Sequence, residues 1–178
     1  SNVIASDGYG DKVYFVGDGI QTVNYTNNIP VLENFIPTGK YNTVVAYNHN
    51  MAVAAGTDII AHTKDGGGSW NIVPNITVDH EVITEYIIKR ICVLSDGNGL
   101  AIGTYNNDTT GMILYIRPGS ETWISIPPEL AFYSFGNEDI LRLPNITNAC
   151  ISNNGSFVFT NVTKEVSGES EDSTYDSG

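Results

Sequence analysis

The residues best placed to do chemistry lie in one loop, Thr63-Lys64-Asp65-Gly66-Gly67-Gly68-Ser69-Trp70. A carboxylate set between two hydroxyl side chains can work as an acid, or it can accept hydrogen bonds from its own turn. Three consecutive glycines favour the second role, because they permit left-handed or close-approach backbone that a Cβ would block. Asp65 then caps the turn through charge-assisted hydrogen bonds worth about 1.5–3 kcal/mol. Trp70 follows as a large apolar wedge between strands. Thr63, Asp65, Gly67, Ser69 and Trp70 therefore read as a structural set, with no catalytic residue among them.

Other candidate chemistry is thin. His49, His62 and His80 fall in different loops or strands without metal-ligand spacing. Asp7-Gly8-Tyr9-Gly10-Asp11 offers oxygens but lacks the longer acidic pattern of a calcium loop, and reads better as a hairpin turn. No Gly-rich loop has the strand-to-helix setting that phosphate binding needs. Neither a metal nor a cofactor is expected. Cys92 and Cys150 each precede a hairpin turn in equivalent strands. They are either inert core thiols or, in an oxidising compartment, a disulfide between neighbouring units. Tyrosines in turn-rich stretches (Tyr9, Tyr25, Tyr41, Tyr105, Tyr133) are the candidates for stacking on a sugar ring or anchoring a protein partner.

These residues must be positioned by a repeating element. Ser6 to Gly10 precedes Val13-Tyr14-Phe15-Val16, and Asn48-His49-Asn50 precedes Met51 to Ala55. Ser95 to Gly99 precedes Leu100-Ala101-Ile102, and Ser152 to Gly155 precedes Phe157-Val158-Phe159. Asp-Gly and Asn-Gly supply the positive φ that tight hairpins need. The second half of the unit repeats as well: Trp70 to Pro74 and Trp123 to Pro127 share Trp-x-x-x-Pro, and Phe35-Ile36-Pro37 is a weaker echo. Four short strands per unit describe antiparallel blades that bury both faces only by stacking on one another. The blades fall at roughly 1–42, 43–88, 89–136 and 137–163. Asp79 to Arg90 is open between a helix and a long connecting strand.

The loop from Thr63 to Trp70 fits Ser/Thr-x-Asp-x-Gly-x-Ser/Thr-Trp at every defined position. On that ground the chain resembles the Asp-box (BNR-repeat) β-propellers, among them sialidases, sortilin-type receptors, photosystem assembly factors and viral or phage surface proteins. Ile116 to Trp123 is a degenerate copy that keeps Thr122-Trp123 but has Pro118 and Ser120 in place of the Asp and the Gly. The resemblance implies a box between a blade's third and fourth strands, away from the ligand-binding face. It also raises sialidase chemistry, with three clamping Arg, a Tyr nucleophile supported by Glu, and an Asp acid. Only Arg90, Arg117 and Arg142 are present, Arg142-Leu143-Pro144 follows the box where a sialidase places its Arg-Ile-Pro before it, and Glu85-Tyr86 is an ordinary neighbour pair. A sialidase-like ring also has six blades against about four here. The expectation is a chain that is not an enzyme.

Eight Lys plus Arg against twenty Asp plus Glu give a net charge of −12, which repels nucleic acid and anionic lipid. No apolar run approaches the roughly 18 residues of a membrane span. The segment 164–178 is acidic, poor in apolar residues and expected to be a flexible tail or linker. A chain opening on Ser1 reads as processed or cropped. Six sequons begin at Asn24, Asn75, Asn107, Asn145, Asn154 and Asn161; they are surface sites if the host glycosylates. Taken together, an all-β propeller or propeller fragment is expected, acting as a recognition or scaffold module on an extracellular or virion surface. Its partners would be a surface glycan or proteins of a larger assembly, with no nucleic acid and no membrane insertion. The alternatives are part of a glycoside hydrolase whose other blades lie outside this chain, and an assembly-factor propeller.

Overall fold

The computed structural model describes residues 2–26, 29–36, 39–73, 75–78, 80–106, 110–126, 148–151 and 157–160. Those residues form sixteen strands and no helix. The all-β expectation holds. Within the stretch Asp79 to Arg90 the described residues hold two strands, Glu81–Ile83 and the start of Tyr86–Val93, in place of a helix or one long strand, and the β-branched Val82, Ile83, Ile87 and Ile88 favour that; Asp79 itself lies outside the described residues.

The first sheet is a meander of β1 (Val3–Tyr9), β2 (Lys12–Gly17), β3 (Ile20–Thr26) and β4 (Ile29–Ile36). Ser6, Asp7 and Gly8 lie within β1, opposite Phe15, Tyr14 and Val13, so the turn is Gly10-Asp11 and not the longer stretch expected. A second meander runs through β5 (Lys40–Ala46), β6 (Ala52–Thr57), β7 (Ile60–Thr63) and β8 (Asn71–Val73). A third runs through β11 (Tyr86–Val93), β12 (Gly99–Tyr105), β13 (Thr110–Ile116) and β14 (Ile124–Ser125). The second meander thus starts at Lys40 and the third at Tyr86, each slightly before the expected blade boundary.

Between them, β9 (Ile76–Val78) and β10 (Glu81–Ile83) form a hairpin that the repeat does not anticipate. β9 pairs in parallel with β14 through Ile124 and Thr77, extending the third sheet beyond its fourth strand. A single bridge, Ile87 to Thr57, joins the second and third meanders into one curled ten-stranded sheet. β15 (Asn148–Ile151) and β16 (Phe157–Thr160) form a separate pair, with β15 lying against β11 and β12.

Alternation along β6 shows why the meanders stack. Ala52 and Ala54 face Tyr14, Val16 and Ile20 of the first sheet, together with Tyr41, Val44 and Ala61. Val53 and Ala55 face the other way, onto Ile88, Ala101, Leu114 and Trp123 of the third meander. A strand buried at five successive positions, Ala52 to Gly56, is covered on both faces, which only a neighbour on each side can satisfy. The alanines let the first sheet approach closely enough for the Tyr14 and Tyr41 rings to fill the gap.

Candidate functional site

In a four-stranded meander the first–second and third–fourth connections share one end. At that end the β5–β6 turn, the β7–β8 loop, the β11–β12 turn and the β13–β14 loop come together. The β7–β8 loop is Lys64 to Trp70, the strongest motif in the chain. Thr63 Oγ1 donates to Asp65 Oδ1 at 2.9 Å and accepts from the backbone N–H of Gly67 at 2.8 Å. Ser69 gives its backbone N–H to Asp65 Oδ1 at 2.9 Å and its hydroxyl to Oδ2 at 2.6 Å. The Ser69 hydroxyl and N–H, with a smaller contribution from Thr63, hold the Asp65 carboxyl down to a pKa of about 2.

The loop is also fastened outward. Gly66 N–H donates to Asn50 O at 2.8 Å, and Lys12 Nζ donates to Gly66 O at 3.1 Å. Gly67 has φ 91° and sits where a Cβ would lie 2.4 Å from Thr22 Oγ1 and 3.0 Å from the Tyr14 ring. The Trp70 ring meets Tyr14 edge-on, with centroids 5.7 Å apart and planes at 88°. Every defined position of the motif thus holds its own loop or presses it onto the first sheet.

The degenerate copy in the third meander is built differently. Without an Asp, Ser120 takes over: its Oγ accepts from Thr122 N–H at 2.9 Å, and its N–H donates to Arg117 O at 3.1 Å. Trp123, 2% exposed, donates its indole N–H to His62 Nε2 at 3.0 Å in a buried contact. Burial is the main reason the His62 pKa falls to about 4; Glu121 raises it and Lys64 lowers it by lesser amounts. Above the two rings, Lys64 Nζ pairs with Glu121 Oε1 at 2.6 Å, and Asn71 Nδ2 donates to Glu121 Oε2. The second and third meanders are therefore clamped at this end by aromatic, charged and amide contacts together.

Tyr9, Tyr25, Tyr41 and Tyr105 stand in strands, not loops, and do not gather into one surface. Tyr9 and Tyr25 are exposed, near the end that carries the box loop. Tyr105 is half-buried against the core at the opposite end. Tyr41 is a correction: it is fully buried among Val44, Ala54 and Ile59, where burial pushes its hydroxyl up to a pKa of about 12, and it has no surface to offer a ligand. Tyr133, Arg142 and the segment 164–178 lie outside the described residues.

Cys92 carries a free, half-buried thiol in β11; Cys150 stands in β15, the strand beside it. His49 lies 3.7 Å from Asp11, His62 is the partner of Trp123, and His80 occupies a turn at φ 71°. Among the described residues no three His, Cys, Asp or Glu side chains come together to hold a metal. Of the sequons, Asn75 is exposed and Asn24 half-buried, while Asn107, Asn145, Asn154 and Asn161 lie outside the described residues.

The pairing of His62 with Trp123 escaped the sequence. His62 has no spacing partner, and only the shared Trp-x-x-x-Pro hinted that Trp123 does what Trp70 does. No protein-family model, curated protein or solved structure matches the chain.

Proposed function

We propose that the chain is a β-propeller, or a sector of one, that works as a non-catalytic recognition and scaffold module on an extracellular or virion surface. The order of the strands supports the architecture: β1, β5, β11 and β15 lie side by side in chain order, as the first strands of successive blades around an axis would. The box loop joins a third strand to a fourth, the place it holds in the propellers that the sequence resembles.

The observation that carries the function is the use made of Asp65. Both of its oxygens accept donors from its own loop, so the acid of the best motif braces the fold and faces no substrate. What is offered outward is turns, a shallow cleft and the exposed Tyr9. That is equipment for binding. A glycan or a protein of a larger assembly fits better than a polyanion, given the net charge of −12.

A second observation favours a sector over a complete ring. Seven of the ten exposed large apolar side chains among the described residues belong to β1–β4, including Ile4, Tyr25 and Leu32. One face of that sheet is covered by the second meander, and the other carries Tyr25 and Leu32, as a sheet awaiting a further blade would.

The test pairs a glycan array with a fluorogenic sialoside assay, both at neutral pH. Retention of one or more glycans without release of fluorophore is the expected result. Turnover of the sialoside would overturn the non-catalytic reading in favour of the hydrolase alternative, and an array with no retained glycan would leave protein scaffolding as its content.

A further inference from the structure

At the loop-bearing end the second and third meanders leave a cleft of about 110 Å³ between them. Tyr47, His62, Lys64, Ser95, Asp96 and Ser120 are the lining residues that matter. His62 is 4% exposed, and its Nε2 accepts the Trp123 indole N–H. A neutral imidazole that accepts at Nε2 must carry its proton on Nδ1. That Nδ1–H makes no hydrogen bond to any described residue, so a buried ring held in one tautomer keeps a donor for whatever enters. Burial holds the ring neutral down to about pH 4, so the donor carries no charge.

The charges at the rim are already engaged. Lys64 is paired with Glu121, and both Asp96 oxygens accept from Asn98, at 2.9 and 2.8 Å. A carboxylate has lone pairs beyond those two bonds, so Asp96 can still accept from a hydroxyl. With Lys64 neutralised and the chain strongly acidic, an anion gains little here. Tyr47 adds a half-buried aromatic wall, and Ser95 and Ser120 add hydroxyls. The volume lies well below the roughly 300–1,000 Å³ that engulfs a drug-sized ligand, so it suits one edge of a single ring.

We infer that this cleft binds the terminal neutral hexose of a glycan, with His62 Nδ1–H donating to a ring or hydroxyl oxygen and Asp96 accepting from a hydroxyl. The inference rests on the recognition reading above and assigns it a place at the box-loop end, where the resembling propellers have no ligand site.

Methyl glycosides of glucose, galactose, mannose and N-acetylglucosamine, titrated into the ¹⁵N-labelled chain, test it, with a methyl sialoside as the anionic control. For at least one neutral sugar, the Trp123 indole N–H and the backbone amides of Gly97 and Ser120 shift, and the sialoside leaves them unmoved. His62→Phe keeps an aromatic ring, somewhat larger, and removes both the donor and the acceptor of the Trp123 N–H, so binding to that variant is read on Gly97 and Ser120. Ser95→Trp narrows the mouth, and the exposed Ser95 makes no hydrogen bond to a described residue. Each weakens binding about tenfold or more. Should His62→Phe fail to fold, Ser95→Trp decides alone. Unmoved cleft resonances with all four neutral sugars, or shifts that survive both variants, overturn the inference. If the array retains a glycan while the cleft stays silent, recognition stands and this site falls; an array that retains nothing removes the glycan reading itself.

Discussion

Trp123 donates its indole N–H to His62 Nε2 across the junction of the second and third meanders, at 3.0 Å and in full burial. Trp70, at the matching place one meander earlier, reaches back to Tyr14 by an edge-on ring contact instead. Its indole N–H is buried without a hydrogen-bond partner among the described residues. The two tryptophans thus perform one task, holding a sheet to the sheet before it, by different chemistry. Of the two tryptophan partners, only His62 is of a residue type that titrates between neutral and acid pH.

That difference makes stability depend on pH. The folded pKa of His62, about 4, lies below the unfolded value of about 6.5, so the unfolded chain binds more protons in between. The contribution is fully present above about pH 6.5 and is lost as pH falls towards 4, by about 3 kcal/mol in all. Urea unfolding at pH 7, 5.5 and 4 measures the slope. His62→Phe should remove most of it, while Tyr14→Phe should leave it in place.

Truncating the two tryptophans should cost different amounts. Trp123→Ala empties a site 2% exposed and strands the His62 acceptor, a loss of about 3–5 kcal/mol. Trp70 is only half-buried and its N–H has no partner to lose, so Trp70→Ala should cost roughly half as much. Paired chemical melts give both values, and equal losses would contradict this account of the junctions.

Asp65→Ala removes the acceptor of three hydrogen bonds, from the Thr63 hydroxyl and from the N–H and hydroxyl of Ser69. Asp65 and Ser69 are exposed, so solvent replaces part of what is lost, and a destabilisation of about 1 kcal/mol is expected. For a domain of this size that lowers Tm by about 2–4 °C. The carboxyl sits below its ordinary range, so its contribution is present above about pH 4 and fades as pH falls towards 2. Below that range, wild type and Asp65→Ala should melt together.

Gly67→Ala and Gly68→Ala separate backbone strain from simple crowding. At Gly67 the left-handed φ and the clash with Thr22 and Tyr14 act together, and about 2–3 kcal/mol should be lost. At Gly68, an exposed position, the three atoms nearest the new methyl group all belong to the Asp65 carboxylate, at 3.2–3.5 Å. That substitution should cost less than about 1 kcal/mol. Thermal melts of both variants rank them, and a reversed order would mean the loop does not seat on the first sheet as described.

Much of this arrangement is local and was therefore legible in the residues. The Asp96-Gly97 turn between apolar flanks specifies a hairpin, because positive φ and a two-residue period act over a few positions, whereas the same signal at Asp7-Gly8 falls inside β1. The loop from Thr63 to Trp70 likewise closes through partners at most four residues apart. What the residues left undetermined depends on how the sheets meet. Tyr41 looked like a surface aromatic until Ala52, Ala54 and Ala61 brought the first sheet close enough to bury it. The β9–β10 hairpin joins the third sheet by a parallel pair that no short-range pattern encodes. His62 and Trp123 are 61 residues apart, and the cleft above them exists only because two meanders curl towards each other. Such contacts are set by the angle and spacing of stacked sheets, which arise from the sum of many apolar contacts.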